Sequence, residues 1–338
     1  MHVAMYYRND DVRIEEMPKP KIGPGEFLFK VKASGICGSD VLEWYRIKSA
    51  PRVLGHEVTG EIVEVGKGTP YKVGQRVFVS HHVPCEECRY CKEGRETACE
   101  TLHKTNFDPG GFVEYVRVPK INVEKGIYLL PENVSYEEGT MIEPLACVVR
   151  GQRMACVAKG QTVLVLGSGI AGLLHIKLAK SKGARVIATD VNEWRLRKAK
   201  EFGADAVINA ASYTAEKLKE LNSGRLADRV ILCTGAVPAV KQALESVDRG
   251  GIVLFFAVPT PGVPVEIPAN EFWRNEIAVM TSYGAAPRDL KEALKLIKSK
   301  KIKVADMITH ILPLEKAQEG FRLVAEAKAS IKVILKPN

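Results

Sequence analysis

At 338 residues the chain is long enough for two domains, each with its own hydrophobic core. Hydrophobic residues make up 46% of it and charged residues 26%, the balance of an ordinary globular protein and not of a disordered or collagenous one. The net charge of +9 reads as a lysine-rich solvated surface. Basic positions such as Arg195, Arg197, Lys198 and Lys200, or Lys295, Lys298, Lys300 and Lys301, stand among Glu193, Glu201 and Glu292, whereas a nucleic-acid footprint requires clustering.

The opening Met-His-Val-Ala-Met-Tyr-Tyr has no basic lead before an apolar core, so no signal peptide is expected. The longest apolar stretches, 162–166 and 252–258, are far too short to span a bilayer. Cys147, Cys156 and Cys233, scattered in apolar runs, fit a reducing interior, and a cytoplasmic location is expected.

Up to about residue 150 the chain reads as short strands and turns. Residues 26–33 place Phe27, Phe29, Val31 and Ala33 on one face, with Leu28 breaking the alternation. Residues 59–65 form a second strand closed by Gly66-Lys67-Gly68, 74–79 a third, and 111–118 another. Such strands, punctuated by Gly and Pro, predict a small β-barrel. Two of its loops carry chemistry-bearing side chains: Gly35-Ile36-Cys37-Gly38-Ser39-Asp40 and Gly55-His56-Glu57. They supply a thiolate, an imidazole and a carboxylate, and a catalytic zinc needs about three protein ligands and one open position. Each residue taken alone is more often structural, because a buried Cys usually behaves as an inert small hydrophobe.

The strand pattern is interrupted at 84–100 by Cys85, Cys88, Cys91 and Cys99, separated by two, two and seven residues. Half of the eight cysteines crowd into this window, where thiolates spaced so closely on a loop can close a tetrahedron around one ion. The bacterial ferredoxin run has its fourth cysteine three residues on, followed by proline; here the gap is seven and Glu100 follows. A disulfide cluster requires a secreted context. A closed, structural four-cysteine zinc site is expected. The same lobe carries Glu86, Glu87, Glu93, Glu96 and Glu100, which argues against a zinc-containing nucleic-acid binder.

From about 151 the rhythm changes to alternating strands and helices: strands at 162–167, 185–190, 206–209, 228–233, 251–256 and 277–282, and helices at 172–182, 194–202, 214–221 and 238–247. This predicts a doubly wound, mostly parallel sheet over 151–285. A helix at 289–300 and a strand at 331–335 follow, too little for a third domain, so 286–338 is expected to rejoin 1–150. Between the first strand and helix stand Gly167, Ser168, Gly169, Ile170, Ala171 and Gly172. In a GxGxxG turn the first glycine allows the bend, the second lets a pyrophosphate approach, and the third permits close packing of helix on strand. Asp190 ends the next strand, where an acid accepts hydrogen bonds from the adenosine ribose and repels a 2′-phosphate, so NAD is expected over NADP. Arg195 is a further candidate for the ribose.

Taken in order, Cys-Gly-Ser-Asp, Gly-His-Glu, the four-cysteine lobe, Gly-Gly-Phe-Val-Glu-Tyr from 110, Ile-Glu-Pro-Leu from 142 and the dinucleotide loop resemble the zinc-dependent medium-chain dehydrogenases. The resemblance implies a GroES-like catalytic domain and a Rossmann domain, with a cleft between them, one catalytic and one structural zinc, NAD, and a homo-tetramer. It implies that Cys37 and His56 are catalytic zinc ligands, that Glu143 occupies the position of a third, and that Glu57 binds the metal or sits just behind it. Ser39 matches the hydroxyl that takes the substrate's proton, and Asp40 a partner orienting the ligand histidine. The acidic Ile-Glu-Pro-Leu site, the Gly-His-Glu motif and Asp190 resemble the polyol dehydrogenase branch, with threonine dehydrogenase and simple secondary alcohol dehydrogenases as alternatives. Tyr45, His81 and Tyr283 are candidate pocket residues. Two departures stand out. Leu42 occupies the place of a histidine that often continues the proton relay, and Ser282-Tyr283 stands where sorbitol dehydrogenases have Arg-Tyr.

Overall fold

The computed structural model describes residues 1–337. Its strands in chain order are β1 (His2–Arg8), β2 (Asp11–Glu16), β3 (Phe27–Ile36), β4 (Arg52–Val53), β5 (Glu57–Val65), β6 (Arg76–Val79), β7 (Tyr115–Val118) and β8 (Ile127–Leu129). Then come β9 (Thr162–Leu166), β10 (Arg185–Asp190), β11 (Ala206–Asn209), β12 (Ala227–Leu232), β13 (Val247–Phe255) and β14 (Ala278–Thr281), followed by β15 (Ile308–Pro313) and β16 (Lys332–Lys336). The chain divides into two compact units, one of Met1–Ala146 together with the chain from Ala285 onward, the other of Cys147–Gly284.

The first unit is organised around β3. Phe27 to Gly35 pair antiparallel with β5; the other edge is shared, β7 covering Phe27–Lys30 and β16 covering Ser34–Ile36. The sheet runs β15-β16-β3-β5-β6-β8, and β1, β2 and β4 form a smaller sheet. Leu28 is as fully buried as Phe27, Phe29, Val31 and Ala33. Phe27, Phe29 and Val31 share one core cluster to which Leu28 does not belong, so the strand keeps its alternation and Leu28 is buried apart from that core. The core gathers Phe29, Val31, Ile62, Phe112, Phe321 and Val333. Phe321 lies 5.7 Å from both Tyr6 and Phe112, ring centroid to ring centroid.

The second unit is a parallel sheet in the order β11-β10-β9-β12-β13-β14. Every residue of β9 is buried, as a central strand covered on both faces requires. Strand order reverses at β9, which puts the topological switch point, where open α/β sheets bind their ligands, at the carboxyl end of β9. Among the described residues no helix is long and apolar enough to cross a membrane.

Several elements exceed the sequence expectation. Helix Ile142–Met154 lies where the sequence pattern predicts strands and turns. Pro144 is tolerated in its first turn, and Ile142, Leu145, Ala146 and Val148 are all fully buried, so the segment shows no clear polar stripe. Strand β15 and helix Ala317–Glu326 add to the single helix and strand expected after 285.

Candidate active site and metal centres

Register in the first unit brings three segments to one point. Gly35 pairs with Glu57 across β3 and β5, and with Ile334 across β3 and β16. Cys37 therefore leaves the end of β3 beside the first residues of both neighbours, Glu57 and Lys332. Cys37 then caps a short 3-10 turn, Gly38–Val41: its Sγ accepts from the Ser39 amide at 3.4 Å, and its own amide donates to Asp40 Oδ2 at 3.1 Å. The ligand atoms of Cys37, His56 and Glu57 all lie within 4.8 Å of one another. Zinc takes thiolate, imidazole and carboxylate donors at about 2.0–2.3 Å. The donor set and its spacing fit that metal. Glu143 stands half-buried in the first turn of its helix and is not part of this group.

Asp40 is fully buried, and its Oδ1 stands 3.5 Å from His56 Nδ1, the arrangement that leaves Nε2 to face a metal. Burial raises the Asp40 pKa, but His56 and Arg46 outweigh it and hold the carboxyl below its ordinary range. Burial likewise pulls His56 down, and Asp40 with Cys37 reverses this, leaving it well above the ordinary histidine value. Both shifts express a buried, mutually oriented pair.

Two members of this site escaped the sequence reading. Lys332 is 1% exposed and donates to the Ile36 carbonyl at 3.1 Å and to Glu57 Oε2. Its one sequence signal is being the single charge inside the apolar run from Ile331 to Leu335. A Cβ at Gly35 would run into the Glu57 carboxylate and stand 2.6 Å from Lys332 Cε, so only glycine admits this pair. Arg46 is the second, and it bonds Ser39 and Asp40.

Of the expected pocket residues, His81 meets His56 in a tilted ring contact, with centroids 4.8 Å apart and planes inclined at 49°. Burial, then His82 and His56, push its pKa well below the ordinary value, so it stands neutral. Tyr45 is exposed and lies under the Arg46 guanidinium at 4.7 Å. Tyr283 is exposed in the other unit, and Leu42 is exposed beside the 3-10 turn.

The four cysteines converge as expected. Sulfur separations are 3.6 Å for Cys88–Cys91 and Cys85–Cys99 and 3.9 Å for Cys85–Cys91, against about 3.8 Å for the edge of a tetrahedron with 2.3 Å zinc–sulfur bonds. No cysteine forms a disulfide among the described residues. Backbone amides of Glu87 and Cys88 lower the Cys85 pKa, whereas burial and Cys88 push Cys91 up to about 12. Burial would raise Cys99, but backbone hydrogen bonds to Cys85 and Leu102 bring it to about 6. The lobe is tied down by Lys125, which donates to the Cys85 carbonyl at 2.6 Å, and by Arg288, which donates to the Gly94 carbonyl at 2.8 Å. Cys91→Ser is expected to remove about one equivalent of zinc and lower the unfolding midpoint by about 5 °C. Activity should fall only as a consequence. Metal analysis beside calorimetry checks this, and unchanged zinc content would refute the site.

In the second unit, Gly167 bends the chain at φ +93°, and a Cβ at Gly172 would collide with the Gly167 carbonyl. A Cβ at Gly169 would meet only Arg195 Nη1, at 3.7 Å, which leaves that face of the loop open. Asp190 Oδ2 accepts from the Ser168 amide at 2.8 Å and Oδ1 from the Asn192 amide at 2.9 Å, fixing the carboxylate at the loop. Arg195 Nε is buried without a partner. An open glycine turn at a helix N-terminus, a fixed acid and an orphaned guanidinium donor fit a dinucleotide.

Two family profiles match the chain: "Alcohol dehydrogenase GroES-like domain" over residues 23–131 and "Zinc-binding dehydrogenase" over 171–299. The chain belongs to the zinc-binding medium-chain dehydrogenases, with a GroES-like domain and a six-stranded parallel Rossmann sheet. Within that family it is a zinc-dependent alcohol or polyol dehydrogenase, an oxidoreductase acting on CH–OH. It is 35% identical to a sorbitol dehydrogenase of Halalkalibacterium halodurans over 337 residues, covering 96% of this chain and 95% of that one. A zinc-binding dehydrogenase from Sinorhizobium meliloti 1021 bound to NADP superposes with a TM-score of 0.88 at 28% identity, over 99% of each chain. An alcohol dehydrogenase from E. coli CFT073 complexed with NADH gives the same score, identity and coverage.

Proposed function

We propose that this enzyme oxidises a secondary hydroxyl of a polyol or sugar, with NAD as acceptor. The observation that carries the reading is the convergence of Cys37, His56 and Glu57 within 4.8 Å, beside the Ser39 hydroxyl. Zinc held there would supply Lewis-acid polarisation of the substrate oxygen, and NAD would serve as the hydride acceptor. Cys37 and His56 are two ligands, and Glu57 and Glu143 are the two carboxylates for the third position. Zinc retention in Glu57→Gln against Glu143→Gln assigns it. Ser39 takes the proton of the substrate hydroxyl, Asp40 fixes the His56 ring, and Lys332 holds one Glu57 oxygen. Gly167, Gly169, Ile170, Ala171 and Gly172 would hold the pyrophosphate, Asp190 would receive the ribose hydroxyls, and Arg195 would be a further donor to the ribose.

Incubating the zinc-replete protein with NAD or NADP and a panel of polyols, sugars, threonine and simple secondary alcohols tests the reading. Reduction of NAD by vicinal diols above all others is the expected result. No reduced cofactor with any of them would overturn it, and preference for threonine would move the chain to that branch. Asp190→Ala should weaken NAD about 10- to 100-fold, the loss of hydrogen bonds to a charged acceptor, and relax discrimination against NADP. Cofactor titration by fluorescence reads both effects, and an unchanged preference would refute the role.

A further inference from the structure

Arg46 ends the short helix Glu43–Arg46 and folds back over the preceding turn. Its Nε donates to the Ser39 carbonyl at 2.9 Å, and its Nη2 donates to Ser39 Oγ at 3.0 Å and reaches Asp40 Oδ1 at 3.4 Å. Its side chain is only 15% exposed. The planar fork thus grips Ser39 by backbone and hydroxyl at once, a geometry that the point charge of a lysine does not reproduce.

A serine hydroxyl has one hydrogen and two lone pairs, and on its own it rotates freely. Here Nη2 occupies one lone pair from a fixed side, so the hydroxyl hydrogen cannot point there. Cys37 Sγ, at 3.4 Å, accepts that hydrogen, and one lone pair is left for a further donor. We propose that Arg46 is the positioning residue that orients the Ser39 hydroxyl to receive the substrate's proton. The proposal rests on the reading of Ser39 given above.

In the step, the substrate O–H bond would break as a new O–H bond forms on Ser39 Oγ. The hydrogen that Ser39 carries would turn off Cys37 Sγ and leave to solvent water, and the electron pair of the adjacent C–H bond would leave as hydride, with NAD as acceptor. Arg46 gives up no proton, since a guanidinium stays charged throughout. It holds the acceptor in place, and its fixed positive charge favours departure of the hydrogen that Ser39 carries. This matters more where Leu42 stands, because a leucine offers no proton route from the same turn.

A double-mutant cycle on the zinc-replete enzyme tests the proposal, using Arg46→Gln, Ser39→Ala and the pair, with 2,3-butanediol and sorbitol as substrates. Arg46→Gln is expected to lower kcat about 30-fold at nearly constant KM, and Ser39→Ala about 100-fold, within the range for a positioned proton acceptor. The pair should be no worse than Ser39→Ala alone, and Arg46→Lys should recover only part of the loss. Zinc content and NAD affinity, read by metal analysis and fluorescence, should match wild type in every variant. Losses that multiply in the pair would overturn the proposal alone, as would loss of zinc from Arg46→Gln, which would make the arginine a support for Asp40 and His56. Full activity in Ser39→Ala, or no turnover in wild type, would overturn the underlying reading and the proposal with it.

Discussion

Cys37→Ser is expected to lower kcat/KM about a thousandfold or more while leaving the fold and NAD affinity intact. The substitution changes one atom, yet it replaces a donor that ionises readily for a metal with one that stays a neutral hydroxyl at neutral pH. Lewis-acid activation contributes several kcal/mol of transition-state stabilisation, and each 1.36 kcal/mol is a factor of ten in rate. The fold has little to lose. Cys37 is half-buried in a turn, and the serine oxygen can accept the Ser39 amide that Sγ accepts at 3.4 Å. The glycine turn and Asp190 belong to the other compact unit, so cofactor binding supplies an internal control. Steady-state kinetics, metal analysis and NAD titration on one preparation separate the outcomes. Turnover retained with the second zinc absent would sink the catalytic zinc assignment.

Local chemistry decided what was legible in the sequence. The four cysteines announced a closed metal site because thiolates so spaced have few other uses, and their sulfurs stand at tetrahedral distances. Strands β10 and β11 were read to the residue, because β-branched runs between helical periods leave little choice. Cys37, His56 and Glu57 were picked out from short motifs, and long-range register then placed them together. What stayed hidden depends on that register. Lys332 lies 275 residues from Glu57, and nothing local in the sequence joins them until β16 pairs with β3. Arg46 is close to Ser39 in sequence, but a single arginine ending a one-turn helix carries no signal that its side chain turns back. Helix Ile142–Met154 was missed for the opposite reason: buried on most of its surface, it has no polar face to reveal its period.

Lys332→Met is expected to destabilise the first unit by about 3–5 kcal/mol, the cost of leaving one partner of a buried ion pair uncompensated. Both side chains are 1% exposed, so water cannot take over the role of the ammonium. The Ile36 carbonyl, which accepts from Nζ at 3.1 Å, loses that donor as well. The carboxylate is what makes the single substitution costly. Removing it too, in Lys332→Met with Glu57→Leu, should restore most of the loss, because well-packed apolar replacements of buried ion pairs are often neutral or stabilising. Glu57 also lies within 4.8 Å of the Cys37 and His56 ligand atoms, so a cation held there supplies part of the compensation that Lys332 provides. The destabilisation should therefore be smaller in zinc-loaded protein than after chelation, a difference that a purely packing role for Lys332 would not produce. Thermal unfolding of wild type, the single variant and the pair, each with and without chelator, resolves the two contributions. A Lys332→Met protein that unfolds with wild type in both conditions would mean that the ion pair contributes nothing in solution, and that Gly35 is kept small for some other reason.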